Sequence, residues 1–268
     1  MISIKNWCDD NSEKIIGLIK DELNWQVELT KAGPDDLREL DDLKNFQIHK
    51  FEINQSPQLL FLFPSVPERV QLLEAMDCLF EINGKLWPDL LLTHAIKRAL
   101  RRKVKTLDLK QAAYVVGEGS DIRPLVMAAT ELGFSRICIV SNSIKWLEDE
   151  KKFLNRRLVG IQFETVLTSD LTLQPQDTNL LLNSFNLHKN KEYLHDLAYF
   201  NFMVSGGVVV DLNGQGPHQI LQEEALKAQL TCIKPDEVLL AWWLELAQKL
   251  KPSLVISKES ENKLFEGL

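Results

Sequence analysis

Gly117-Glu118-Gly119-Ser120-Asp121-Ile122 is the segment of this chain with the clearest chemical potential, because it joins an apolar run, 112–116, to a helical pattern that starts at Asp121. A glycine turn in that setting can bring backbone amides up to a phosphate: the first glycine permits the tight turn and the second permits close approach. The third small position of such a turn holds Ile122, whose bulk is expected to push helix from strand. Glu118 and Asp121 add two carboxylates beside amides that would otherwise receive an anion. Two readings stay open, a weakened nucleotide site involving Gly117, Gly119, Ser120 and Asp121, and a structural turn whose helix Asp121 caps. Ser141-Asn142-Ser143 closes the next apolar run, where these side chains could touch a ribose or cap the helix beginning near Lys145, the one cation nearby.

Other chemistry is thinly supplied. His49, His94, His188, His195 and His218 include no pair at metal-ligand spacing on one helix face, and none adjoins a cysteine. No metal site is expected. Cys8, Cys78, Cys138 and Cys232 show no C-x-x-C spacing and read as reduced packing residues. Signatures of serine hydrolases, P-loop proteins and kinases are absent. Trp242-Trp243, on a helical pattern over 238–250, reads as interdomain packing or an aromatic platform, and the loop 213–217 follows a strand end, where ligands bind in open α/β sheets.

The elements that must hold these residues are most regular in the second half. Strands are expected over 112–116, 136–140, 160–166, 179–182, 202–204 and 207–212, with helices over 121–132 and 193–199. Short strand–helix–strand connections imply a mainly parallel sheet with helices on both faces. The first half reads as mixed α/β: a helix over 12–23, a strand over 25–29, a helix over 35–43, and a buried strand over 58–63 ended by Pro64. A helix over 67–79, a turn at Asn83-Gly84 and a helix over 89–103 follow. The expected domains are an N-terminal α/β domain over 1–106, a dinucleotide-binding-type domain over 107–250 and a tail, 251–268, returning to the first.

With 268 residues, 45% of them hydrophobic, the chain is long enough for two modest domains or one large one and can bury a substantial core. A net charge of -7 argues against general affinity for nucleic acid or anionic membranes. The basic cluster Lys97, Arg98, Arg101, Arg102, Lys103 and Lys105 reads as a solvated helix end or an anion site. No apolar run approaches the roughly 20 residues that span a bilayer, so the cytoplasm is the expected location.

Residues 114–123 (YVVGEGSDIR) followed by 131–140 (ELGFSRICIV) resemble the shikimate dehydrogenase pattern of strand, glycine turn, helix, "LG" and second strand. Leu181-Leu182-Asn183-Ser184 resembles that family's "INAT" segment, and 208–212 (VVVDL) with Pro217 and Leu221 resembles its "VVDLVY" run. Asn83-Gly84-Lys85-Leu86-Trp87 through Leu100 looks like the segment joining the two domains, and Phe63-Pro64 like the "TIPYK" strand end. The resemblance covers roughly residues 58 to 250 and implies a two-domain α/β fold with a Rossmann-like C-terminal half.

The family's chemistry is hydride transfer between NADP and the shikimate hydroxyl, with a lysine and an aspartate as the acid/base and substrate-holding pair. Carried over by the resemblance, the lysine position falls on Val66, the aspartate on Leu92, the C-terminal glutamine on Trp242 and the NADP arginine on Asn142. The "GAVNT" stretch and the N-terminal serine pair have no counterpart. A slip in matching would leave Lys85 and Asp89 as a displaced pair, against a turn lysine and a helix cap, with His94 as a proton donor or a structural histidine. The expectation is a relative without catalytic residues that binds a small molecule in an interdomain cleft or a protein partner, with no cofactor or weakly held NADP or NAD. Gly117, Gly119, Ser120, Asp121, Ser141, Asn142, Ser143, Asn183 and Ser184 are its candidate cofactor contacts. An active NAD(P)-dependent oxidoreductase with relocated groups is the alternative, and homodimerisation is left open.

Overall fold

The structure is a computed structural model that describes residues 2–8, 10–32, 43, 46–185, 187, 191–213 and 219–268. The described elements begin with β1 (Ile2–Asn6), α1 (Ser12–Leu23), β2 (Val27–Lys31), β3 (Ile48–Lys50), α2 (Ser56–Leu60), α3 (Glu68–Leu73), β4 (Cys78–Ile82), β5 (Lys85–Asp89) and α4 (Leu92–Lys103). Then come β6 (Ala112–Val116), α5 (Arg123–Leu132), β7 (Arg136–Ser141), α6 (Ile144–Asn155), β8 (Gln162–Leu167), β9 (Thr178–Asn183), α7 (Lys191–Ala198), β10 (Met203–Asp211), α8 (Ile220–Lys227) and β11 (Thr231–Ile233). The chain closes with α9 (Pro235–Leu250) and α10 (Lys258–Glu266). It divides into two compact units, Met1–Ala95 with Leu239–Leu268, and Ile96–Val238.

The first unit is built on a five-stranded sheet in the order β2-β1-β3-β4-β5. β1 pairs parallel with β2 and β3, whereas β4 runs antiparallel to both β3 and β5. Ile15, Ile16 and Ile19 recur at helical spacing on α1 and are buried, and Asn24 ends the helix at φ 48.

The second unit carries a six-stranded sheet in the order β11-β10-β9-β6-β7-β8, parallel throughout. Its central strands β6, β7 and β9 are almost wholly buried, as the continuous apolar runs require of a sheet covered on both faces. β6 and β7 lie where expected. The two short runs at 202–204 and 207–212 form a single strand, β10, irregular between Met203 and Val208.

The first half departs further from expectation. The run at 58–63 is not a strand: α2 and a turn occupy it. Pro57 sits in the first turn of α2, and Ser56 Oγ donates to Met76 O at 2.8 Å and accepts from Met76 N at 2.9 Å, anchoring the helix. The interior strand is β3 instead, a three-residue segment too short to show a period. Phe63-Pro64 therefore ends no strand, and Val66 lies half-buried in the α2–α3 connection. The helix expected over 67–79 stops at Leu73, with Glu74 at φ 49, and 78–89 forms a hairpin. Of the helix expected over 35–43 only Leu43 is described; loop residues 214–217, His188 and His218 also lie outside the described residues.

Candidate functional site

In the second unit the crossover from β6 to β7 on one side and β9 on the other places Gly117 and Ser184 side by side, since Val116 is in register with Asn183. Such a switch point opens a crevice at the carboxyl ends of parallel strands. Gly117 has φ 154, and a Cβ there would overlap Ser184 Oγ and stand 2.7 Å from Ile122 Cγ2. Ile122 thus does not push the helix away. It is fully buried, and its bulk is received over the bare Cα of Gly117.

Gly119 at φ 69 has open space where a Cβ would be, so backbone approach by a phosphate is sterically free at this second glycine. Ser120 is buried and Asp121 half-buried, both within a 3-10 turn, Gly119–Ile122. The residue capping α5 is Ile122, which has no side-chain acceptor, and Pro124 in the first turn removes one amide; the expected capping of this helix by Asp121 gives way to that arrangement.

At the end of β7, Ser143 accepts from Trp146 N at 3.3 Å and so caps α6. Ser141 is fully buried; its Oγ accepts from Ser143 N at 3.1 Å and donates to Glu118 Oε1. Asn142 is half-buried and Lys145 exposed. Arg123 is committed elsewhere, donating through Nε at 2.8 Å and Nη2 at 3.1 Å to Glu150 while stacked 3.8 Å over Phe153.

Beside this edge, Asn183 Nδ2 donates to Asp211 Oδ1 at 3.0 Å, Asp211 Oδ2 accepts from Gln222 Nε2 at 3.3 Å, and Ser184 Oγ donates to Val116 O at 3.0 Å. Asn183 and Asp211 are buried and serve to tie the strand ends together. The basic cluster is largely paired: Lys97 with Glu131, and Lys103 with Glu237 at 2.7 Å and with Cys232 O at 3.0 Å.

In the first unit one row of the sheet runs Lys31, Asn6, Lys50, Cys78, Asp89 in register. Sequence reasoning passed over its centre, because neither Lys50 nor Asp10 belongs to a motif and only the pairing of β1 with β3 brings them together. Lys50 Nζ donates to Asp10 Oδ2 at 2.5 Å and lies 5.2 Å above the Trp242 ring. Burial works against the Lys50 ammonium, but Cys8 and Asp10 outweigh it and hold the amine above its ordinary value. Burial likewise works to raise the Asp10 carboxyl, and Lys50, Ser12 and Asn6 hold it below the usual aspartate range. The Cys8 thiol is pushed up to about 12, chiefly by burial.

Asp77 stands just before the Cys78 position and accepts from Leu91 N at 2.8 Å, Leu92 N at 2.6 Å and Trp242 Nε1 at 2.8 Å. Burial pushes its carboxyl up while these donors pull against the shift. Trp243 packs edge-on to Trp242 at 5.0 Å and donates to Ser12 Oγ at 3.2 Å, so both indoles belong to the first unit.

Lys85 and Asp89 are at opposite ends of β5, about 13 Å apart by strand rise, and do not form a pair. Lys85 is exposed beside the Asn83-Gly84 turn, and Asp89 accepts from Leu90 N at 2.8 Å and pairs with Lys249. His94 is an acceptor for Arg69. His49, buried, accepts from Trp7 Nε1 at 3.2 Å and meets Leu43 O at 3.0 Å. Among the described residues no group of three His, Cys, Asp or Glu could share a metal ion, and no helix is long and apolar enough to cross a membrane.

A strand order that switches between β6 and β9, with a glycine turn at the switch, defines the second unit as Rossmann-like. With the mixed five-stranded unit before it, the chain has the fold of the shikimate dehydrogenases. No family model matches the sequence, and no curated protein matches it. Solved structures do. Shikimate dehydrogenase of Mycobacterium tuberculosis superposes with a TM-score of 0.77 at 15% identity, covering 100% of this chain and 99% of that one. Shikimate 5-dehydrogenase of Thermus thermophilus in complex with NADP(H) and shikimate gives 0.73 at 17% identity, covering 100% of each chain. The 5-ketofructose reductase of a Gluconobacter species gives 0.74 at 13% identity, covering 99% and 98%.

Proposed function

We propose that this chain is a relative of the shikimate dehydrogenases that binds a ligand without performing hydride transfer. The observation that carries the reading is the closure of polar groups on one another in the first unit. Trp242 donates to Asp77 and covers Lys50, all three of them buried, and Lys50 is neutralised by the half-buried Asp10. A hydroxyl that loses hydride must also lose a proton to a base, and an amine whose pKa is raised rather than lowered is a poor one. Val66 and Leu92, the positions matched to the family's lysine and aspartate, offer no replacement. The open Gly119 and the strand ends of the second unit leave that edge as the place for a small molecule. Four buried free cysteines fit a reducing compartment, in keeping with a cytoplasmic protein.

The test is spectrophotometric. Purified protein incubated with shikimate and either NADP+ or NAD+ is expected to give no more reduced nicotinamide than a heat-denatured control; turnover overturns the proposal. A second reading, an oxidoreductase with relocated groups, is favoured by the Lys50–Asp10 pair itself, an amine and a carboxylate at the carboxyl ends of parallel strands. Activity lost together in Lys50→Met and Asp10→Asn proteins that still fold would establish it.

A further inference from the structure

The outer strands of the second unit's sheet are β8 and β11, and they differ in what they leave open. β11 spans only Thr231–Ile233, too short to template another strand. β8 is longer, and it pairs with β7 from Gln162 to Leu167 without a shift in register. It therefore has no bulge, and its sequence, QFETVL, holds no proline or lysine, the devices that blunt an open edge. Both outer strands of the first unit carry one: Lys31 on β2 and Pro88 on β5. On the β7 side Gln162 N donates to Ser135 O at 2.8 Å, so alternation along β8 turns the amides of Phe163, Thr165 and Leu167 to the open edge.

A cleft of about 390 Å³ adjoins this edge, and Thr165, Val166 and Leu167 all line it. Consecutive side chains of a strand point to opposite faces, so a space that all three reach follows the outer side of β8 rather than one face of the sheet. Ile144, Leu147 and Glu148 of α6 form the facing wall, and Asp170 and Gln174, from the turn after β8, complete it. An edge strand facing a helix across a groove can take up an extended peptide: main-chain bonds to the strand give affinity, and the groove sorts alternate side chains. Half of this lining is aliphatic and half polar. Its charged groups are Glu148 and Asp170, both exposed, and β8 adds Glu164. That charge decides the occupant. Two copies of this chain meeting β8 to β8 would set like carboxylates together, whereas a segment alternating aliphatic and basic residues complements both halves of the lining.

We infer that β8 adds to its sheet an extended segment of a partner protein in which aliphatic and basic residues alternate. β8 lies two strands from β6 and its glycine turn, so this surface and the small-molecule site proposed above stand or fall separately. The test is fluorescence anisotropy, titrating the full chain into a labelled Lys-Val-Lys-Val-Lys-Val peptide. Glu-Val-Glu-Val-Glu-Val and a Lys-Val peptide N-methylated throughout serve as controls, the second keeping the charge while losing the main-chain donors. The Lys-Val peptide is expected to bind with a dissociation constant below about 100 μM, at least about tenfold tighter than either control. Thr165→Pro removes an outward amide without taking a bond from β7, and is expected to weaken that binding at least about tenfold. Should that chain fail to fold, the exposed pair Glu148→Lys with Asp170→Lys carries the test, and should move the preference to the Glu-Val peptide. No binding up to millimolar protein, an N-methylated peptide held as tightly as its parent, or a preference unmoved by the two lysines overturns the inference. So does a dimer in sedimentation that Thr165→Pro abolishes, because a second copy is then the occupant.

Discussion

Gly117 shows how much of this chain's architecture turns on single side chains. Its bare Cα receives both Ser184 and Ile122, and its φ of 154 is unfavourable for any side chain. Gly117→Ala is therefore expected to cost more than about 2 kcal/mol in urea unfolding. Ser184→Gly in the same chain should recover only part of the loss, because Ile122 and the backbone strain remain. His49 gives a second test at this scale. Burial lowers its pKa from 6.5 to about 4, so the unfolded chain takes up a proton at a pH where the folded chain does not. Stability from this residue is present above pH 6.5 and is lost as pH falls through that window, by up to about 3 kcal/mol near pH 4. The depressed Asp10 carboxyl adds a loss of the same sign at lower pH. In His49→Gln the decline between pH 6.5 and 4 should flatten, which thermal melts across that range will show.

At the scale of elements, the Lys50–Asp10 pair bridges the end of β3 and the segment after β1. Removing one partner leaves a buried charge, so Lys50→Met and Asp10→Asn should each destabilise by roughly 3–5 kcal/mol. The double replacement Lys50→Met with Asp10→Asn should cost much less than the sum of the two singles, since no charge is then stranded; a double-mutant cycle in denaturant measures the coupling. This junction also marks where the sequence was hard to interpret. β6, α5 and β7 were legible because Ala112 to Val116 and Arg136 to Val140 are apolar runs long enough to bury, punctuated by Gly117 and Gly133. β3 was not, for it has three residues with His49 and Lys50 among them, both polar and both buried by partners distant in sequence. The run Leu59-Leu60-Phe61-Leu62-Phe63 misled for the opposite reason. Its composition suits a strand, yet Phe61 is 78% exposed and Ser56-Pro57 starts a helix.

At the scale of the whole molecule, the two units differ in how their cores are assembled. The second is continuous in sequence, Ile96–Val238, whereas the first needs Leu239–Leu268 to complete it. Trp242 and Trp243 are the reason: without them Asp77 and Ser12 lose buried partners and the core loses two indoles. A chain ended after Val238 is expected to yield, on limited proteolysis, a resistant fragment corresponding to the second unit and rapid loss of residues 1–95. Trp242→Phe, which keeps an aromatic ring but removes the donor to Asp77 and part of the buried indole volume, should lower stability by at least about 1–3 kcal/mol in the same denaturation assay.

That discontinuity also sets a timetable. On the ribosome the amino-terminal segments emerge first, but Ser12 and Asp77 meet Trp243 and Trp242 only after the entire second unit has been made. At roughly 5–20 residues per second, the first-born half waits many seconds without the indole partners of Asp77 and Ser12 while the later-born half can fold at once. Folding order is thus expected to invert birth order in this chain, and slowing translation should lengthen the interval in which chaperones find it.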